Sequence, residues 1–147
     1  MKNKKLLVTG AAGYIGGTFT YEVLKKGFEV HGIDNFINSD SRNIDTFLRD
    51  YPAVFGFSKI DIANEVSKLK KVLDEFNPDF IIHFAGLKSV DESEKKPDLY
   101  MENNVGSTRN LLENMNSETF FIFSSSATVY GNNPNQPLTE DLSLIHI

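Results

Sequence analysis

The chain has 147 residues, a formal net charge of −5 and 24% charged residues, as expected of one globular domain. Positive and negative charges are interspersed, and no apolar run is long enough to cross a membrane, so the composition argues against nucleic-acid and membrane partners. The absence of cysteine excludes disulfides and thiolate metal sites, and it favours a cytoplasmic location.

Apolar runs alternate with amphipathic stretches along the chain. The predicted strands are Lys5–Thr9, Glu29–Asp34, Val54–Lys59, Phe80–Phe84 and Thr119–Ser124. The predicted helices are Tyr14–Lys26, Ser41–Arg49, Asn64–Phe76 and one long stretch from about Val90 to Met115. This alternation indicates an α/β fold with a doubly wound parallel sheet, and we expect the strand order 3-2-1-4-5.

A glycine-rich turn follows the first predicted strand. Gly10, Gly13 and Gly16 are spaced three residues apart, and their lack of a side chain lets a pyrophosphate approach the backbone and the start of the next helix. Asp34 ends the second strand, where a carboxylate suits ribose hydroxyls and repels a 2′-phosphate. The pattern therefore predicts NAD rather than NADP; the alternative is a glycine turn in an unrelated α/β unit.

Ligands of doubly wound sheets bind beyond the carboxyl ends of the strands. We therefore expect one crevice formed by the segments Gly10–Gly16, Asp34–Ser39, Asp61–Ile62, Ala85–Lys88 and Ser124–Tyr130. Among the serines of the last segment, Ser126 lies closest to the loop, and we predict a functional role for it. Ser124 and Ser125 are as well explained by capping the strand end.

The remaining polar residues have structural explanations. His31 and His83 lie in predicted strands, and we interpret both as core or strand-end histidines. No spacing of acidic residues and histidines recommends a metal site. Phe120–Phe123 would form a strand at the edge of the sheet with one apolar face left uncovered.

Five stretches between Leu6 and Gly131 carry more specific motifs: VTGAAGYIGG, IDNFINS, IIHFAGLKSV, ENNV and FIFSSSATVYG. Together they resemble the UDP-glucose 4-epimerase family of extended short-chain dehydrogenases/reductases. The glycine motif is common to a broad superfamily, whereas HFAGLK and SSSATVYG are far more typical of the epimerases. The family resemblance covers nearly the whole chain.

The resemblance implies NAD as cofactor and gives each matched position a place along it. Tyr14 and Ile15 would lie along the pyrophosphate, and Asp34 would bind the adenosine ribose. The adenosine side would continue through Asn35, Phe36, Asn38, Ser39, Asp61 and Ile62. The nicotinamide side would be lined by Phe84, Ala85, Gly86, Lys88 and Asn103.

The implied reaction interconverts UDP-glucose and UDP-galactose, in galactose metabolism, by oxidation and re-reduction at the sugar 4-position. Ser126 would hydrogen-bond the sugar hydroxyl that is oxidised. The family's base is a Tyr-x-x-x-Lys pair, and here only Tyr21 and Lys25 have that spacing. We interpret that pair as a coincidence, because its helix meets the pyrophosphate and places Tyr21 far from the reacting sugar.

We therefore expect residues 1–147 to be one incomplete NAD-binding Rossmann domain. It would be truncated before the sixth strand and the substrate-binding half, and would be inactive alone. The full-length form is expected to be a homodimer. Gly106-Ser107-Thr108 departs from the family's Asn-Gly-Thr, which would loosen a helix turn without removing the role of Asn103.

Three alternatives remain. A sugar-nucleotide dehydratase of the same family is disfavoured, because Ala127 and Thr128 stand where dehydratases carry Asp and Glu. Epimerases of other UDP-sugars stay open, since most of the sugar pocket would lie outside this chain. A non-catalytic NAD-binding module would explain why no Tyr-x-x-x-Lys pair follows Ser126.

Overall fold

The computed structural model describes residues 4–131 and 137–141, and the centre of this part is a five-stranded parallel sheet. The strand order is β3-β2-β1-β4-β5, as the sequence predicts. The strands run over the predicted segments, shortened by one residue at some ends. Their bounds are β1 Lys5–Thr9, β2 Glu29–Asp34, β3 Phe55–Lys59, β4 Phe80–His83 and β5 Phe120–Phe123.

Helices connect the strands and cover both faces of the sheet. Their bounds are α1 Tyr14–Lys25, α2 Arg42–Asp50, α3 Val66–Phe76, α4 Val90–Lys95, α5 Pro97–Tyr100 and α6 Ser107–Asn114, with a π-helix at Met101–Gly106 and a 3₁₀ turn at Ala127–Tyr130. No helix in the described part of the chain is both long enough and apolar enough to cross a membrane.

The long helical stretch predicted over residues 90–115 is helical, but two features divide it into shorter helices. Lys96 precedes Pro97 and is forced out of the helical region, to φ −136° and ψ 56°. The chain then re-forms a helix at Pro97, passes through the π-helix and continues as α6. The segment begins with an N-cap, since the Ser89 side chain accepts a hydrogen bond from the Glu92 N–H.

The core has two layers, one on each face of the sheet. Consecutive residues of β1 point to opposite sides, so Leu6 and Leu7 are both buried but belong to different layers. The first layer packs against α1 and α2, through Leu24 and Phe47. The second packs against α3 and α6 and contains Leu69, Leu73 and Leu111. Cover on both faces explains the continuous apolar strands.

Strand β5 lies at one end of the strand order and is poorly covered, as the sequence predicts. Phe120 and Phe123 are 63% and 54% exposed, and Ile122 is exposed as well. Only Phe121 packs against the second core layer. An apolar edge of this kind is prone to association.

Candidate functional site

A cleft of about 330 Å³ opens at the carboxyl ends of the strands. Segments that follow all five strands contribute to it, so the predicted crevice exists. All but one of the predicted cofactor-binding residues line it: Gly10, Gly13, Tyr14, Ile15, Gly16, Asp34, Asn35, Asn38, Ser39, Asp61, Ile62, Phe84, Ala85, Gly86, Lys88 and Asn103. The structure thus brings these residues together, while their contacts with a cofactor stay a prediction.

Phe36 is the predicted cofactor residue that does not line the cleft. Its backbone has a φ of 63°, and its ring packs against Phe57 with the ring centroids 5.4 Å apart. The Lys59 ammonium lies 5.6 Å from the centroid of the same ring. The unusual backbone conformation therefore accompanies a side chain that is packed beside β3 rather than exposed to a ligand.

Ser126 is exposed and does not line the cleft, whereas Ser124 does. A catalytic role for Ser126 thus stays a prediction. The cleft is also lined by three further residues of the predicted crevice segments, Ile37, Leu87 and Ser124, and by three that the sequence interpretation missed: Ile60, Ala63 and Ser107. Most are direct neighbours of predicted residues, and Ser107 lies four positions after Asn103, a spacing that places helical residues on one face.

The backbone of the glycine turn leaves no room for a Cβ at Gly10 or at Gly16. Gly10 has a φ of +68°, and a Cβ there would lie 2.9 Å from the Ala85 nitrogen. A Cβ on Gly16 would lie only 2.1 Å from the Gly10 carbonyl oxygen. Gly13 precedes α1 without a side-chain cap, so the first N–H groups of the helix and the positive end of its dipole remain available to an anion in the cleft.

Asp34 is held in place by three hydrogen bonds. One carboxylate oxygen accepts from the Ala12 N–H at 3.0 Å. The other accepts from the Phe36 N–H at 2.8 Å and from the Ser39 hydroxyl at 3.0 Å. The carboxylate therefore ties the glycine turn to the loop after β2 and stands fixed at the wall of the cleft.

The segment after β3 forms an apolar pocket with a fixed backbone. Ile60 and Ile62 are buried, and the Asp61 side chain accepts a hydrogen bond from the Ala63 N–H. The Asn110 amide on α6 donates to the carbonyls of Ile62 and Ala63, at 2.9 and 3.0 Å. The sequence interpretation missed Asn110, whose sequence neighbours give no sign that it reaches this segment.

The loop after β4 is bound to the π-helix by the side chain of Asn104. Its oxygen accepts from the Leu87 N–H at 2.7 Å, and its amide nitrogen donates to the Leu87 carbonyl at 2.9 Å. Lys88 and Asn103, next to these two residues in sequence, line the cleft. Asn104 thus fixes the two segments that form the end of the cleft opposite Asp34.

His83 lies at the end of β4, only 1% exposed, beneath that loop. Its Nδ1 is 2.6 Å from the Thr9 hydroxyl and its Nε2 is 3.1 Å from the Thr108 hydroxyl. Burial lowers the pKa of His83 from 6.5 to about 4, so the ring is neutral near pH 7. His31 bonds Ser58 in the half-buried part of β2. Both histidines are thus hydrogen-bonded core or strand-end residues, as predicted.

Known proteins are similar to this chain in sequence. A protein-family model described as GDP-mannose 4,6 dehydratase matches residues 7–145. A UDP-glucose 4-epimerase from Klebsiella pneumoniae is 42% identical over 138 residues, which cover 92% of this chain and 99% of that protein. The chain belongs to the UDP-glucose 4-epimerase family.

Solved structures of the epimerase family share the fold. The UDP-glucose 4-epimerase of Stenotrophomonas maltophila, with bound NAD and formylated UDP-arabinopyranose, superposes with a TM-score of 0.86 at 36% identity. That of Bifidobacterium longum, in complex with NAD+ and UDP, gives 0.85 at 38% identity. This chain is covered to 96% and 94%, and each of those chains to 42%. The chain also spans 36% of the length of a rice UDP-glucose 4-epimerase that is 41% identical over 146 residues.

Proposed function

We propose that this chain is the NAD-binding part of a UDP-glucose 4-epimerase, which interconverts UDP-glucose and UDP-galactose. The observation that carries the proposal is the strand-end cleft, in which Gly10 and Gly16 leave no room for a Cβ and Asp34 presents a fixed carboxylate. The epimerases of Stenotrophomonas maltophila and Bifidobacterium longum were crystallised with NAD, which supports the choice of cofactor.

The residues present fit NAD along the whole cleft. The free N–H groups at the start of α1 suit the pyrophosphate, and the Asp34 carboxylate suits the adenosine ribose hydroxyls. Ile60 and Ile62 offer an apolar surface to the adenine. Lys88 and Asn103 supply a cation and an amide at the nicotinamide side. NAD, when bound, supplies the hydride acceptor for oxidation at the sugar 4-position and the donor for its reversal.

The chain's own residues bind and orient the reactants. Asn104 fixes the loop that carries Lys88, and the π-helix carries Asn103 to the same end of the cleft. Ser126 follows β5 and is placed by sequence to donate a hydrogen bond to the sugar 4-hydroxyl. A serine is a weak base by itself, so this role is to orient the hydroxyl, and the proton that leaves the hydroxyl on oxidation must go to a separate general base.

The dehydratase alternative is weaker for a chemical reason. Removal of water from the sugar needs an acid to protonate the leaving hydroxyl. Ala127 and Thr128 stand where dehydratases of the family have Asp and Glu, and neither can supply that proton. Epimerases that accept other UDP-sugars would use the same NAD cleft, so they remain an alternative substrate class rather than an alternative mechanism.

A non-catalytic NAD-binding module is the second candidate, and one observation favours it. The only Tyr-x-x-x-Lys spacing in the sequence is Tyr21–Lys25. In the structure the Lys25 ammonium lies 5.1 Å from the centroid of the Tyr21 ring, and neither residue lines the cleft. The general base that accepts the proton of the sugar hydroxyl must therefore be a residue outside this pair. Otherwise the chain binds NAD without catalysing a reaction.

The cellular setting that we propose is galactose metabolism in the cytoplasm, with a UDP-sugar as the small-molecule partner and no nucleic-acid or membrane partner. The net charge of −5 and the lack of cysteine support this setting. We further propose a homodimer for the full-length form. Met101, Val105 and Leu112 support it, because they are exposed apolar residues at helical spacing.

The test uses the protein in the full length that its gene encodes. Calorimetric titration with NAD and NADP measures binding, and a coupled assay of UDP-galactose turnover measures epimerase activity. We expect NAD to bind more tightly than NADP and turnover to be measurable. Binding without turnover would favour the module, and absence of NAD binding would refute the proposal.

Asp34→Ala provides the site-directed arm of the test. Loss of charge-assisted hydrogen bonds of roughly 1.5–3 kcal/mol should weaken NAD binding about 10- to 100-fold. Asp74→Ala is the matched control, because Asp74 is an exposed residue of α3 that pairs with Lys70 and does not line the cleft. Equal affinity in both variants would exclude Asp34 from the site.

A further inference from the structure

A continuous series of buried and half-buried hydrogen bonds lies beneath the cleft. It runs from the Ala85 N–H to the Thr9 hydroxyl, through the His83 ring to the Thr108 hydroxyl, and on to the Asn104 carbonyl. The successive distances are 3.3, 2.6, 3.1 and 2.8 Å. These hydrogen bonds therefore link the loop after β4 to the π-helix.

The donors and acceptors of this series have one consistent arrangement. The Thr108 hydroxyl donates its only proton to the Asn104 carbonyl, so it must accept from His83 at Nε2. The Thr9 hydroxyl accepts from the Ala85 N–H and donates to Nδ1. His83 is thus neutral, with its proton on Nε2, in agreement with its burial.

The first and last hydrogen bonds of this series both involve backbone groups at the nicotinamide side of the cleft, those of Ala85 and Asn104. Ala85 lines the cleft directly. Asn104 follows the lining residue Asn103 in sequence, and the Asn104 side chain bonds both the N–H and the carbonyl of Leu87 in the loop after β4. A histidine that only satisfied core polarity would not need to connect these two segments. The adenosine side, around Asp34, has separate hydrogen bonds.

We propose that His83 is a positioning residue, which holds the loop after β4 and the π-helix in register and so shapes the nicotinamide side of the cleft independently of the adenosine side. The proposal rests on the proposed function for the identity of the ligand. It names a role for the central imidazole and for its partner Thr108, neither of which lines the cleft.

The test compares two ligands in the full-length protein. NAD occupies both sides of the proposed site, whereas ADP can reach only the adenosine and pyrophosphate side. We expect Thr108→Val, which keeps the shape of the side chain and removes the bridging hydroxyl, to weaken NAD binding about 10-fold and leave ADP binding unchanged. His83→Phe should show the same split with a larger loss. His31→Phe, the control on β2, should change neither affinity.

The binding results separate the possible explanations. Equal weakening of NAD and ADP, or unchanged NAD binding in Thr108→Val, would overturn the positioning role. If the unmodified protein binds neither ligand, the proposed function fails, and a ligand-free measurement still decides the role of His83. In that measurement, Thr108→Val should shift the amide NMR signals of Ala85, Leu87 and Asn103, but not that of Ala12. A shift confined to residue 108 and its sequence neighbours would refute the coupling.

Discussion

Acidification should destabilise the protein through His83. The pKa of this buried ring is about 4 in the folded protein and 6.5 for the free side chain. The unfolded chain therefore takes up a proton below about pH 6.5, while the folded protein resists it until about pH 4. The stabilising contribution is fully present above pH 6.5 and is lost as the pH falls through this window.

The size of the effect follows from the two pKa values. Between about pH 8 and about pH 5.5, protonation of His83 in the unfolded chain alone should lower the free energy of unfolding by about 1.4 kcal/mol. By pH 4 the loss should approach about 3 kcal/mol. Burial also lowers the pKa of His31, so part of the total pH dependence belongs to that residue.

His83→Gln isolates the contribution of His83, because glutamine keeps a donor and an acceptor but does not titrate. Urea unfolding followed by far-UV circular dichroism measures it, since the chain has no tryptophan. The variant should lose about 1.4 kcal/mol less than the unmodified protein over the same pH interval. An identical pH dependence in the two proteins would refute a buried, neutral His83.

The remaining predictions concern the cleft and the sheet edge. Gly16→Ala should abolish NAD binding and destabilise the fold by about 1–3 kcal/mol in thermal unfolding, because its Cβ meets the Gly10 carbonyl, whereas Gly106→Ala, with open space around it, should be neutral or stabilising. Ser126→Ala should lower UDP-galactose turnover about 10²- to 10⁴-fold without changing NAD affinity in titration; unchanged turnover would remove its proposed role. Ile122→Thr on exposed β5 should reduce self-association in light scattering, with a change in stability within about 0.5 kcal/mol.

The sequence was sufficient for the sheet and for most of the cleft, because both follow from local patterns. Buried parallel strands need apolar residues on both faces, so β1 to β5 could be recognised from their composition. Once the strands and their order were predicted, the rule that ligands bind beyond the carboxyl ends of strands brought distant segments together. Asp34 and Asn103 are far apart in the chain, yet both line the cleft.

What the sequence could not predict depends on tertiary contacts. A π-helix has the same composition as an α-helix, so the sequence predicts Met101–Gly106 only as part of a long helical stretch. The positive φ of Phe36, which accompanies its packing against Phe57, gives no signal in the sequence. The hydrogen bonds of His83 join residues 74 and 25 positions away, and such partners become visible only when the sheet and α6 are assembled.

The anchoring of Asp34 has a consequence for engineering a different cofactor preference. A substitution that admits an extra phosphate at this position also removes the acceptor for Ala12, Phe36 and Ser39. The glycine turn and the loop after β2 would lose their shared anchor in the same step. A redesign therefore has to introduce a new acceptor for the Ala12 N–H together with the new specificity, so the exchange requires at least two coordinated substitutions rather than one.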